Sequence, residues 1–488
     1  MKLDWGGEMK KILLLDIGST YTKGVVFDLD QARLLAAAKA ITTVWNDVNI
    51  GIKKVFTKLE AQGEDLASID QKLACSSAAG GLKMIVIGLV PSLTAEAAKR
   101  AALGAGAKVI GTYSYQLNKA EIAEIETKNP DLILLSGGTD GGNKEIILNN
   151  AKKLAPTNLD QTPIVVAGNK AAADEVEQIL TKAGKEVHLT ENVMAKLEKL
   201  NIEPVRQTIR KVFLDKIIYA KGLSKAKKHI DDLIMPTPSA VMKAAELIAT
   251  GTENQAGFGD LMVVDIGGAT TDIHSAADGY PTKAKVSLRG LEEPYLKRTV
   301  EGDLGMRYSA PSLADSVTKK ELLSYLEGQK SEELFEYIKK INSNIEYIPQ
   351  TEKEKRFEIA IASAAAKNAV ARHVGRIKAV YGPFGENYAQ YGKDLTELDL
   401  IIGTGGVLIN NDSASEILRA SFYTESNPTV LAPKAPKMML DQKYLLSAIG
   451  LLAGVDSELA FEIARKYLSP IGGRKDENRK QKMEFRKV

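Results

Sequence analysis

Two stretches of this chain have the residue types and spacing to hold a phosphate. Asp16–Lys23 reads DIGSTYTK after KKILLL, and Asp265–Asp272 reads DIGGATTD after LMVV. In each, an apolar run ends in Asp-Ile-Gly, and small hydroxyl residues follow. The pattern describes a buried strand that delivers one carboxylate to its end, and then a turn. Gly18, Gly267 and Gly268 let backbone N–H groups approach a phosphate closely, while Ser19, Thr20, Thr22, Thr270 and Thr271 add short donors. Asp16 and Asp265 would stand where a hydrated divalent cation bridges to phosphate oxygens. One copy alone reads as a tight turn, because short motifs match by chance. Two copies imply a duplicated fold whose halves face a shared ligand. Lys23 either neutralises phosphate charge or is an outward-facing strand lysine.

The elements that must position these turns follow from periodicity. Lys11–Leu15 reads as a strand, Lys23–Asp28 as its hairpin partner and Leu34–Val44 as a third strand. Asn46 is placed to cap a helix with apolar residues at Ile50, Val55 and Leu59. From Lys83 to Leu189 the pattern changes to regular alternation. Strands are expected at Met84–Leu89, Lys108–Tyr113, Asp131–Leu135, Pro163–Ala167 and Glu186–Leu189. Helices are expected at Thr94–Leu103, Lys119–Lys128, Lys144–Leu154 and Ala171–Ala183. That is a parallel sheet wrapped by helices, inserted into the first half. Its loop Ser136–Asn143, SGGTDGGN, falls at a strand's carboxyl end, where such sheets bind ligands. It is no P-loop, since Asn143 occupies the lysine position. A Gly-rich turn and a docking or anion-holding loop both remain open.

Beyond the insert, Glu203–Lys228 reads as a long basic helix with a core stripe of Val205, Ile209, Val212, Phe213, Ile217 and Ala220. Its lysines make a solvated face. Pro236 and Pro238 break the chain before a small-residue helix at Ser239–Ala249. Ser316–Lys340 and Lys355–Val380 are read as mostly helical, Leu398–Ile402 as a strand, and Ser413–Ala420 and Lys443–Ala453 as helices. Residues before Met9 fit no element and read as a leader or an early start. The charged segment from Gly472 reads as a frayed or disordered tail.

Composition excludes several classes. The chain has 488 residues and a formal net charge of +3, so no global attraction to nucleic acid or membrane follows. The single cysteine, Cys75, rules out a disulfide framework and a cysteine cluster for zinc or iron–sulfur. No apolar stretch has spanning length and the start MKLDWGGEMKK lacks a signal-peptide core, so the chain reads as cytoplasmic. The four histidines include His188 and His274, which look like ordinary strand residues.

The order of landmarks resembles the actin-like ATPase superfamily: a DIG turn, a helix beginning PTPSAV, a second DIG turn, a strand ending GTGGV, and the helix SAIGLLAG. The resemblance covers roughly Met9–Lys83 and Met235–Leu468. It implies an α/β fold with duplicated actin-like (ribonuclease H-like) halves and a helical subdomain, around the inserted flavodoxin-like parallel α/β domain that the alternation over Lys83–Leu189 describes. It also implies ATP with Mg2+ in a cleft. Gly18, Ser19, Thr20, Tyr21, Thr22 and Lys23 would grip phosphate from one side, and Gly267, Gly268, Ala269, Thr270 and Thr271 from the other. Asp16 and Asp265 would hold magnesium through water, and Asp272 would help orient it or the attacking water. Gly403, Thr404, Gly405 and Gly406 would lie against the adenosine. Gly302 and Asp303, after Lys297-Arg298, would line the nucleotide, unless Asp303 merely caps a helix. The expected boundaries are 9–82 for the first half, 83–234 for the insert with its long helix, 235–300 and 398–470 for the second half, 301–397 for the helical subdomain, and 471–488 for the tail.

The phrases DIGSTYTKGVVFD, LILLSGGTDGGNKE, VVDIGGATTDIHS, KRTVEGDLGMRYSA and IGTGGVLIN together resemble one family. It is that of the MutL-type accessory proteins of glutamate (methylaspartate) mutase and related adenosylcobalamin-dependent mutases or aminomutases, unrelated to the mismatch-repair protein of that name. What this implies is a chaperone that uses ATP to open a mutase with damaged cobalamin, so its partners would be mutase subunits and ATP/ADP. A homo-oligomer stays open. In the heat-shock chaperones a catalytic Glu precedes the proline of the first hinge helix, and here Thr237 stands there. Thr cannot be a general base at neutral pH, which implies slow hydrolysis. The insert also resembles the mutases' cobalamin domain without its cobalt-binding DxHxxG turn, as if keeping the shape and losing the ligand. A small-molecule kinase would need a carboxylate base that is not identifiable. A dehydratase activator would need paired cysteines, and Cys75 is alone. A filament-type ATP-binding protein would be hindered by the insert.

Overall fold

The computed structural model describes residues 10–18, 20–42, 47–77, 82–220, 230–326, 331–382 and 385–472. Ser19, the leader-like start before Met9, and the tail expected beyond Gly472 lie outside the described residues. The chain forms two compact units. The first comprises residues 1–243, 290–292 and 447–459, and the second comprises 244–289, 293–446 and 460–488.

In the first unit, β1 (Lys11–Ile17) is buried along almost its whole length, as a central strand of Ile and Leu must be. It pairs antiparallel with β2 (Tyr21–Asp28), which pairs antiparallel with β3 (Arg33–Ile41). On its other side β1 is parallel to β4 (Gln71–Ser76), which is parallel to β10 (Asp232–Pro236). The helix α1 (Val48–Glu60) covers this sheet through Ile52, Val55 and Leu59. Its cap is Asp47, which accepts from the Asn49 N–H at 2.9 Å. The expected cap, Asn46, lies outside the described residues. The strand β10 corrects the reading of the two prolines as plain breakers. It is the sheet's edge strand, where a proline costs no ladder bond, so the first half resumes before residue 235.

Everything between β4 and β10 is the insert. Its strands β5 (Leu82–Gly88), β6 (Ala107–Ser114), β7 (Leu132–Leu135), β8 (Ile164–Val166) and β9 (Val187–Leu189) are all parallel, in the order β6-β5-β7-β8-β9. That is the 2-1-3-4-5 order of flavodoxin-like sheets. Between the strands run α2 (Glu96–Gly104), α3 (Lys119–Lys128), α4 (Glu145–Leu154) and α5 (Lys170–Lys182), and α6 (Glu203–Ala220) follows. Asn118 and Glu121 close a reciprocal capping box on α3. The face bearing Ile85, Ile133 and Val166 packs on α3–α5 in its own core. The opposite face carries Met84, Val86 and Leu134. It joins α2, α6 and the first sheet in one continuous core that also holds Leu13, Val26, Ala98, Val205 and Phe213. The insert therefore shares its hydrophobic interior with the half that carries it. Of the expected stripe on α6, Val205, Ile209, Val212 and Phe213 are buried. The side chains of Ile217 and Ala220, and residues 221–229, lie outside the described residues.

The second unit repeats the first half's topology. Strand β11 (Leu261–Ile266) pairs antiparallel with β12 (Thr271–Ala276), which pairs antiparallel with β14 (Leu296–Glu301). On the other side β11 is parallel to β17 (Leu400–Thr404), which is parallel to β18 (Lys437–Leu440). A further strand, β19 (Ser469–Ile471), closes the order β14-β12-β11-β17-β18-β19. The fold is thus α/β and duplicated, with two actin-like halves of ribonuclease H-like strand order. Helices Ala310–Ser316, Lys319–Ser324, Ser331–Ser343 and Glu352–His373 fill the expected helical region. Its end corrects the reading, because the helix stops at His373 and Arg376–Gly382 is a strand, β15. Gly375 breaks the helix, and the following Ile-Lys-Ala-Val-Tyr favours extended backbone. With β16 (Gly385–Tyr391) and β13 (Val286–Arg289) it makes a three-stranded sheet that periodicity did not reveal. Among the described residues no helix is long and apolar enough to cross a membrane.

The chain passes from one unit to the other inside α7 (Thr237–Thr250) and again inside the helix Leu446–Leu452. These helices touch backbone to backbone in the first unit, where a Cβ on Gly450 would fall 1.8 Å from the Ala240 carbonyl oxygen. Gly450→Ala is expected to cost about 1–3 kcal/mol in thermal unfolding, the usual toll of overpacking. Gly302→Ala, which meets nothing within 4 Å, should stay within about 0.5 kcal/mol.

Candidate phosphate and metal-binding turns

The two DIG phrases fold into the same hairpin. The Gly18 N–H donates to the Tyr21 carbonyl at 3.1 Å, and the Gly267 N–H donates to the Thr270 carbonyl at 2.9 Å. Each aspartate sits one residue before the end of its strand. Asp16 lies opposite Lys23 on β2 and Cys75 on β4. Asp265 lies opposite Asp272 on β12 and Thr404 on β17. Lys23 and Asp272 are therefore equivalent positions with opposite charge.

In the first turn the Asp16 carboxylate is only 8% exposed. The Thr237 hydroxyl donates to its Oδ1 at 2.7 Å, and the Lys23 ammonium stands 3.7 Å from Oδ2. Lys23 thus faces the carboxylate of its own hairpin. The Cys75 thiol lies 3.8 Å from Oδ1, and burial, followed by that nearby carboxylate, pushes its pKa well up, so it stays protonated. Thr20 is exposed and Tyr21 partly so, with the Lys39 ammonium 5.6 Å from the Tyr21 ring.

In the second turn, the carbonyls of Gly267 and Gly268 accept from the N–H groups of Met306, Arg307 and Tyr308, and the Ser309 hydroxyl donates to the Ala269 carbonyl. The N–H groups of Gly268, Ala269 and Thr270 have no protein acceptor among the described residues. That is a row of donors of the kind a phosphate takes. Asp272 is fully engaged: Arg298 donates to its Oδ1 from Nη2 at 2.6 Å and Nε at 3.1 Å, and the Thr270 hydroxyl donates to Oδ2 at 2.8 Å.

Two expected donors are corrected. The Thr22 hydroxyl is buried against that of Thr42 at 2.9 Å, and the Thr271 hydroxyl donates to the Leu304 carbonyl at 2.6 Å. Both side chains point into the fold, as alternate strand residues must. The glycines of the third motif are also partly structural. Gly405 has φ of +99°, and a Cβ there would lie 2.3 Å from the Ile266 carbonyl oxygen. A Cβ on Gly403 would press on Leu440, Leu408 and Leu418. Gly406 alone has room, with the Tyr444 hydroxyl nearest at 3.5 Å. The Thr404 hydroxyl reaches the buried Asp441 at 3.3 Å, whose carboxylate accepts from the N–H groups of Leu445 and Leu446. Asp441, after the apolar run MML, repeats the signal of a carboxylate at a strand end, and sequence reading missed it. The bonds of Thr237 to Asp16 and of Arg298 to Asp272 gave no such signal, since the partners are distant in sequence.

Asp303 caps no helix; Ser309 precedes the next one. Its carboxylate is held by Arg372 at 2.7 and 2.9 Å, which lowers its pKa below the usual range. In the insert, the loop Ser136–Asn143 holds its own anion. The Asp140 carboxylate accepts from the Lys170 N–H at the start of α5 and from Asn192, while Asn169 bridges Gly141 to Gly142. That makes the loop a tied Gly-rich turn and argues against anion holding.

Metal chemistry follows from the donor set. Among the described residues no group of three or more His, Cys, Asp or Glu could cage an ion. Single carboxylates at strand ends fit Mg2+, which keeps most of its waters and takes one or two protein oxygens plus phosphate.

A family model described as MutL protein matches residues 12–468. Protein MutL of Clostridium tetanomorphum is 52% identical over 462 residues, 94% of this chain and 99% of that protein. Among solved structures, gluconate kinase from Lactobacillus acidophilus is similar at 10% identity, with a TM-score of 0.36, over 98% of this chain and 96% of that one. A glycerol dehydratase reactivase is similar at 9% identity, with a TM-score of 0.35, over 91% of this chain and 99% of that one.

Along β12 and β14, away from the second turn, lies a buried basic network. His373 shares hydrogen bonds with Thr299 and Ser275, at 2.9 and 2.8 Å, and burial drives its pKa well down. His274 is lowered to about 3 by burial and then by Arg298. Lys393 donates to the Ala277 and Tyr295 carbonyls, and burial, with Lys297 adding repulsion, lowers it to about 7. Between pH 7 and 10.5 the unfolded chain holds a proton on Lys393 that the folded chain has released. Stability from this group therefore rises with pH across that window and is lost as pH falls through 7. Lys393→Met should flatten that rise in denaturant unfolding measured from pH 7 to 10.

Proposed function

This chain belongs to the MutL protein family, and we propose that it is an ATP-dependent reactivating chaperone for an adenosylcobalamin-dependent mutase or aminomutase. The observation that carries the reading is the agreement over nearly the whole chain with Protein MutL, joined to two hairpins that each carry an aspartate one residue before a strand end. In this reading the donors of Gly268, Ala269 and Thr270 and of the first turn take phosphate oxygens. Asp16 and Asp265 hold the waters of Mg2+. Lys23 balances charge beside Asp16, and Gly406, with Thr404 and Tyr444 nearby, borders the adenosine. When bound, ATP supplies a phosphoanhydride whose cleavage resets the protein. Gly302 and Asp303 border the nucleotide through a loop that Arg372 keeps in place.

The same residues make a slow hydrolase. A general base must be an accessible group able to take a proton. Thr237 cannot, and Asp272 is neutralised by Arg298. Nucleotide state then acts as a switch, which suits a chaperone better than a kinase. The partners in this reading are the mutase subunits, and the protein works in the cytoplasm. The insert imitates the mutase's cobalamin domain and competes for its seat on the catalytic subunit. Because the insert shares its core with the first half, competition by purified cobalamin-binding subunit tests this better than deletion would.

Asp16→Asn and Asp265→Asn should each weaken Mg·ATP binding at least tenfold in calorimetry, about 1.4 kcal/mol. Wild-type turnover without a partner should stay well below about 1 per second, at the low end of enzyme rates. A fast, partner-independent ATPase would sink the reading.

A further inference from the structure

We infer that the four residues Pro236–Ser239 are a coupling element that reports the state of the Asp16 carboxylate to the inserted domain. The inference rests on the proposed function in one respect, that Asp16 meets the magnesium of a nucleotide.

The geometry is continuous within the first unit. Thr237 opens α7 and gives its only hydroxyl proton to Asp16 at 2.7 Å. Its hydroxyl also lies 3.6 Å from the Cys75 sulfur, but the shorter, charge-assisted bond to the carboxylate takes the proton. Pro236 and Pro238 flank Thr237, and each fixes its own φ while restricting the residue before it. The backbone on both sides of Thr237 therefore has little freedom, so a change that shifts the Thr237 backbone is carried into the turn. The other end of that turn rests on the insert. The Ser239 hydroxyl donates to the Ala105 carbonyl at 3.1 Å. Gly106, at φ +92°, lies so close to Pro236 that a Cβ there would be 2.8 Å from the proline's Cβ. Ala105 and Gly106 end α2 and lead into β6. One hydroxyl thus touches the carboxylate, and another two residues later touches the insert.

The states differ in what Asp16 needs. With no cation nearby, its charge is met by Thr237 and Lys23. With a magnesium ion bound, Asp16 would accept from its waters through the same oxygens, which would loosen the Thr237 bond and shift Pro236 and Ser239 against α2. The insert then feels the nucleotide through Ala105 and Gly106.

Hydrogen exchange of the full-length protein, with and without Mg·ATP, tests this at residues 103–107. The wild type should show a change in exchange there on adding Mg·ATP. Ser239→Ala should bind Mg·ATP within about twofold of wild type, less than the 0.4 kcal/mol that twofold represents, yet lose at least half of that change. Thr237→Val should also lose it, while Thr237→Ser, which keeps the hydroxyl, should retain it. If wild type binds Mg·ATP and residues 103–107 do not respond, the coupling is wrong although the functional reading stands. The coupling is equally overturned if Ser239→Ala and Thr237→Val respond as fully as wild type. If wild type binds no nucleotide, the functional reading fails and the coupling fails with it.

Discussion

A carboxylate carried to the end of an apolar strand has to be compensated, and the two halves of this chain solve that problem differently. At Asp16 the compensation is a hydroxyl from Thr237 and an ammonium from Lys23. In the second hairpin the position of Lys23 is taken by Asp272, so two carboxylates face each other across β11 and β12. Arg298, from the next strand, neutralises that excess. The two halves share the backbone turn and the strand order, while the charges around it differ. The first site is thereby tied to α7, and the second to its own sheet.

This asymmetry suits a switch better than a rapid catalyst. The carboxylate expected to orient water is locked by a buried guanidinium, and the position expected to carry a base holds a threonine. In the proposed reading the arrangement binds an anion and a hydrated cation and registers their arrival. One face of the insert's sheet lies in the same core as the first hairpin.

Much of this was readable in the amino-acid order. The strand and turn around each DIG phrase, the alternating insert with α3 at Lys119–Lys128, and the histidines of β9 and β12 follow from local patterns that the fold keeps. The failures share a cause, which is that the deciding partner is remote. Thr22 and Thr271 look like ligand hydroxyls until Thr42 and the Leu304 carbonyl are brought against them. The strand β10 hides behind Pro236 because only a sheet edge forgives it. Gly405 looks like a ligand glycine, but the backbone of Ile266 is what requires it. The run Arg376–Gly382 extends an apolar pattern from a helix, and its strand identity comes from pairing with β16.

The central claim is that nucleotide drives removal of a damaged cofactor from a client. The most direct measurement uses glutamate mutase holoenzyme that has been inactivated and retains its altered cobalamin, with release followed by the absorbance of cobalamin passing an ultrafiltration membrane. Adding this protein with Mg·ATP should free the bound cobalamin, and adding it with Mg·ADP alone should free little. Equal release with and without ATP, or none with either across mutases of this class, would contradict the account.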